Sequence, residues 1–220
     1  MGIISHAAAH ALNSSTVLIF LTLLLLAGSK RLSTCISLFM VQSAVIAAQV
    51  FAIAYLHHST EAFLVGAVVV AVKVVAIPYA LFYLVRKLRT TRDVKASLSP
   101  APSVFVAAAL ILVSFTAVQS YAAELNVARD PLAAAVAIML TGCFLMITRN
   151  KALAQILGLL ILENGIFMAA LVTTFGMPLV IEIGVAFDVL MGVFLMGLFT
   201  FRIRESFADL DVSKLRRLRG

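Results

Sequence analysis

Residues 152–173 read ALAQILGLLILENGIFMAALVT, an apolar run of 22 residues interrupted by a single charge, Glu163, at its twelfth position. A helix needs about 20 residues to cross about 30 Å of hydrocarbon, so the run has the length of one membrane span. It is continuously apolar where a barrel strand would alternate, and in lipid only helices and closed barrels satisfy their own backbone groups. The sequence therefore predicts an all-α integral membrane protein.

Comparable runs occupy 11–29, 33–56, 62–85, 103–123, 131–148 and 178–201, which predicts a bundle of about seven transmembrane helices. The whole chain agrees: 220 residues, 63% hydrophobic and only 12% charged, against about a quarter charged in soluble domains. Boundary residues support the division. Ser99-Pro100-Ala101-Pro102 breaks the chain before the fourth span, Asp130-Pro131 reads as an N-cap with proline at the first helical position, and Gly176-Met177-Pro178 turns into the seventh. No Lys or Arg precedes Lys30, so the basic region of a cleavable signal is missing and the first run reads as a retained span.

The net charge of +7 reads as topology and not as affinity for nucleic acid, because it is distributed by loop. One alternating set of regions holds Lys30 and Arg31, then Arg86, Lys87, Arg89, Arg92 and Lys95, then Arg149 and Lys151, then a basic tail from Arg202. The other set holds Arg129 alone, and Lys73 lies inside a span. The asymmetry predicts an outside N-terminus and a cytoplasmic C-terminus. Tyr55 and Tyr121 fall near outer ends and Tyr83 near an inner end, where an amphipathic ring suits the interface. The domain division is a three-helix module over 1–100, a linking helix over 101–128, a second three-helix module over 129–203 and a basic tail over 204–220.

Three charges remain deep in spans: Lys73, Glu163 and Asp188. Each costs about 2.5–3.5 kcal/mol at a helix centre on insertion scales, so each needs a partner or water. Intramembrane ionisable groups mark proton and ion paths, and one lysine cannot neutralise two carboxylates; the three are candidate relay residues. The alternative is a pair that only locks helices together. Pro78, five residues after Lys73, cannot donate to the Val74 carbonyl, which a bend or a water can then use. Gln42 and Gln49, seven apart on one face, read as helix-packing amides or as members of a polar path. Glu182, four residues past Pro178, is either a point of proton uptake or release or an interfacial carboxylate, and Glu124 reads as a solvated cap.

Other chemistries find little support. His6 and His10 share a helix face and His57-His58 sits in an outer loop, but neither pair has a third ligand, so no metal site is assigned. Cys35 and Cys143 lie in apolar runs and read as packing residues. No Gly-rich phosphate loop, nucleophile elbow or CxxC motif is present in the sequence. Any enzymatic centre is expected on partner subunits.

The stretch Leu160-Ile161-Leu162-Glu163-Asn164-Gly165, followed by Leu179-Val180-Ile181-Glu182-Ile183-Gly184 and Phe187-Asp188, resembles the component E membrane subunits of hydrogenase 4 and formate hydrogenlyase complexes, the group 4 nickel-iron hydrogenases. The resemblance extends to Arg31-Leu32-Ser33, Gln42-Ser43, the segment from Lys73 to Pro78, Arg149-Asn150 and Leu210-Asp211-Val212. Residues from about 131 to 203 are similar to the three-helix K-type subunit of complex I, in which two glutamates on successive helices belong to a proton-conducting axis. Glu163 matches the first; Asp188, with Gly192 four residues on, matches the second, with aspartate in place of glutamate. The resemblance implies a noncatalytic membrane-arm subunit in the prokaryotic cytoplasmic membrane. It would pack beside antiporter-like subunits and a hydrophilic hydrogenase arm that carries the nickel-iron and iron-sulfur centres. It also leaves open a complex-I-like oxidoreductase or cation/proton antiporter without hydrogenase, while the residues alone leave open a structural scaffold.

Overall fold

The computed structural model describes the backbone of residues 2–56, 58–87, 98–124 and 128–174, and most side chains from Ser15 onward. All belong to the first of two compact units, Met1–Val185; the second, Ala186–Gly220, lies outside the described residues, as do the expected seventh span, Glu182, Asp188 and the basic tail. The described residues are helical without strands: α1 (Gly2–Gly28), α2 (Leu32–Leu56), α3 (Thr60–Val69), a π-helical turn (Val70–Ala76), α4 (Ile77–Lys87), α5 (Pro100–Glu124), α6 (Arg129–Thr148) and α7 (Ala152–Thr174).

Among the described residues, five helical stretches are long and apolar enough to cross a membrane: Leu32–Tyr55, Thr60–Arg86, Pro100–Gln119, Arg129–Thr148 and Ala152–Thr173. They coincide with the second to sixth expected spans. The described apolar part of α1 is shorter, Ser15–Gly28. Tyr55, Tyr83 and Tyr121 are all exposed, as an interfacial belt requires.

Cap chemistry explains the boundary between α2 and α3. Ser59 caps α3 by accepting from the Ala62 N–H at 3.2 Å, and Glu61 in the first turn suits the positive end of the helix dipole. His58 ends α2 with a positive φ of 50°, while the Ser59 N–H reaches back to the Ala54 carbonyl. One expected boundary is corrected. Ala128, not Asp130, is the N-cap of α6, and Asp130 lies in the first turn. The position costs nothing, because the N–H that Pro131 lacks is among those a helix start leaves unpaired.

Packing joins two three-helix groups. In the first, α2 contacts α1 and the α3–π–α4 span; in the second, α6 lies between α5 and α7. The groups meet where α1 touches α5 and α6, and where α2 touches α7. Within the second group α6 and α7 approach to backbone contact. A Cβ on Gly142 would stand 2.6 Å from the Leu162 nitrogen, and one on Gly165 would stand 2.7 Å from the Met139 nitrogen. In lipid, where apolar side chains gain little from leaving solvent, such close backbone approach is a main source of helix association.

Candidate functional site: a buried Lys73–Glu163 pair

Lys73 stands in the middle of the π-helical turn. Here the helix widens: the Ile77 N–H donates to the Val72 carbonyl, five residues back, where an α-helix would use the residue four back. The expectation at Pro78 was a bend or a water at the Val74 carbonyl; the span instead takes up an extra residue just before the proline. Turns of this kind recur at functional sites.

The Lys73 ammonium lies 3.2 Å from Glu163 Oε1 on α7, with side chains 2% and 3% exposed. Phe167, one turn beyond Glu163, places its ring 5.2 Å from the same ammonium. Asn164, the neighbour of Glu163, turns to α2, where its Nδ2 donates to Ser43 Oγ at 3.0 Å and to Gln42 Oε1 at 3.4 Å. Consecutive residues of α7 thus bind two elements, the π-helical turn through Glu163 and α2 through Asn164. All the polar residues involved are at most 2% exposed. The Gln42 Nε2 donor has no hydrogen-bond partner among the described residues, so the cluster retains polar capacity.

Of the residues expected from sequence, the structure unites Lys73 and Glu163 and links Gln42 to them through Asn164. Gln49 stands apart and donates to Ser15 Oγ of α1 at 2.6 Å. Glu182 and Asp188 lie outside the described residues. Asn164, Ser43 and Phe167 were not singled out from sequence as members of the site. Asn164 carried a signal, since an amide beside a charge in an apolar run needs a partner of its own.

Chemically the pair supports two states. With the proton on lysine it is an ion pair, which repays its desolvation only when geometry and further hydrogen bonds are favourable. A proton transferred across the gap would leave both groups neutral. A proton arriving or leaving at this pair therefore changes the local charge by one while needing little motion.

Fold and site together describe a multi-span helical membrane protein whose described residues include a buried lysine–glutamate pair. The chain belongs to the family of the uncharacterized protein Rv0085 of Mycobacterium tuberculosis, to which it is 36% identical over 157 residues, 70% of this chain and 71% of that protein. It is also similar to hydrogenase-4 component E of Escherichia coli, 29% identical over 149 residues, which cover 67% of this chain and 69% of the relative. The component of the same name from Shigella flexneri matches equally. No protein-family model matches the chain, and no solved structure does.

Proposed function

We propose that this chain is a noncatalytic subunit in the membrane part of a multisubunit hydrogenase complex, where Lys73 and Glu163 take part in proton or sodium translocation coupled to electron transfer. The observation that carries the reading is the 3.2 Å pair between the π-helical turn and α7, isolated from solvent. Similarity to hydrogenase-4 component E supports the choice of complex. In this reading Asp188 continues the relay, antiporter-like subunits lie alongside, and nickel-iron and iron-sulfur centres belong to partners in the hydrophilic arm. The K-type module over 129–203, the outside N-terminus and the prokaryotic cytoplasmic membrane are parts of the same proposal.

The test uses the assembled complex in vesicles. Glu163→Gln keeps the shape and removes the titrating group; Lys73→Met with Glu163→Met removes the pair without leaving a lone charge. Both are expected to abolish ion movement coupled to the redox reaction, and coupled pumping at the parent rate in either one sinks the proposal. The genes beside this one separate a hydrogenase from a complex-I-like oxidoreductase or an antiporter, because the pair serves all three equally.

A further inference from the structure

In lipid one apolar face exchanges for another at little cost, so hydrocarbon alone does not fix how a helix is rotated about its axis; small and polar side chains do. The middle of α7 carries both kinds. Successive residues of a helix project about 100° apart, so four of them sweep the whole circumference. Glu163 addresses the π-helical turn, where its Oε1 lies 3.2 Å from the Lys73 ammonium. Asn164 addresses α2, donating to Ser43 Oγ at 3.0 Å and to Gln42 Oε1 at 3.4 Å. Gly165 addresses α6, where an added Cβ would stand 2.7 Å from the Met139 nitrogen and 2.9 Å from the Ala135 carbonyl oxygen. Ile166 is exposed, and Phe167 returns to Lys73.

The start of α7 is held separately. Arg149, buried in the turn 149–151 that precedes it, donates from Nη2 to the carbonyl oxygens of Leu26 at 3.3 Å and Ala27 at 3.1 Å, at the end of α1. Gln155 of α7 donates back to the Arg149 carbonyl at 2.9 Å. These bonds fix where the helix begins, about 12 Å along its axis from Glu163. At mid-span the tolerance is small. A carboxylate carried about 5–6 Å from the axis moves about 2 Å when the helix turns by about 20°, which takes a 3.2 Å pair beyond the reach of an ion pair. Rotation in either sense also stretches the Asn164 bonds and brings a side chain, Asn164 or Ile166, toward the α6 backbone at the place that glycine leaves open.

We propose that Asn164 and Gly165 are positioning residues: together they hold α7 at the rotation that keeps Glu163 within ion-pair distance of Lys73. Neither carries a titrating group, and both act through Glu163. The polar residue supplies attraction toward α2 and the glycine supplies close approach to α6, so the carboxylate is aimed by its two successors in the chain. The functional weight of this lock rests on the ion path proposed above, whereas its geometry does not.

Solid-state NMR of the full chain in lipid bilayers, isotope-labelled at lysine Nζ and glutamate Cδ, reads the pair directly through its dipolar coupling. The signal that belongs to it is the one missing from Lys73→Met with Glu163→Met. Asn164→Ala is expected to lose most of that coupling. Asn164→Ser with Ser43→Asn, which rebuilds the bond with donor and acceptor exchanged, is expected to recover it. Gly165→Ala should lose the coupling as well; if that variant fails to fold, the substitutions at Asn164 decide. No coupling in the parent, full retention in Asn164→Ala, or a loss that the exchange does not recover overturns the proposal. In the assembled complex Asn164→Ala should slow coupled ion movement roughly tenfold. A lost coupling with unchanged ion movement supports the lock and sinks the ion path instead.

Discussion

At Lys73 and Glu163 the effect of a substitution on stability can be separated from its effect on the proposed ion movement. Removing one partner leaves a buried charge, so Glu163→Gln is expected to cost about 3–5 kcal/mol, whereas Lys73→Met with Glu163→Met should unfold close to the parent or somewhat above it. Thermal melts of the purified chain in detergent distinguish the two. Asn164→Ala withdraws the donor from Ser43 and Gln42 and should cost about 1 kcal/mol, since interhelical hydrogen bonds in membranes average well under that of a buried charge pair. Arg149→Ala should destabilise by roughly 2–3 kcal/mol through two lost charge-assisted bonds, with Arg149→Lys recovering only part because lysine lacks the planar fork. The charges at positions 73 and 163 were legible in the sequence because any charge inside 20 apolar residues is conspicuous. Arg149 was not: as a loop cation it counted only toward topology, and its burial arises from the meeting of two turns more than 120 residues apart.

Among the elements, the α6–α7 pair is the tightest contact and the most sensitive. Gly142→Ala drives a Cβ to within 2.8 Å of the Gly158 carbonyl oxygen and the Leu162 Cα, backbone atoms that cannot yield without parting the helices. Gly28→Ala meets only the Cγ2 of Val104 at 2.9 Å, the end of a side chain that can shift. Gly142→Ala is therefore expected to lower the melting temperature strongly and Gly28→Ala only slightly; equal effects would count against the packing described. Spans two to six were readable from hydropathy alone, since run length against bilayer thickness is a one-dimensional property. The π-helical turn was not, because one extra residue in an apolar helix leaves no mark on composition; Pro78 was the local hint. The N-cap at Ala128 escaped for another reason, since nothing in its side chain caps the helix.

For the whole molecule, the loop charges predict that turns 29–31 and 149–151 face the cytoplasm and the Ser59 turn faces away. Single cysteines placed at Asn150 and at Ser59, in a chain with Cys35 and Cys143 replaced by alanine, should react with an impermeant maleimide from opposite sides of sealed vesicles. Labelling of both from one side would contradict the orientation. The neighbours of each helix were not legible. Sequence suggested two triplets with the fourth span as a linker, but it could not show α5 lodged between α1 and α6, because neighbours in a bundle are chosen by shape. The bond from Arg149 to the end of α1 also has a consequence for biogenesis. At about 5–20 residues per second, a ribosome makes Arg149 roughly 6–25 seconds after Leu26, 123 positions earlier. Until then the Leu26 and Ala27 carbonyls have no guanidinium to accept from, so this end of α1 can be fastened only after α6 has been made.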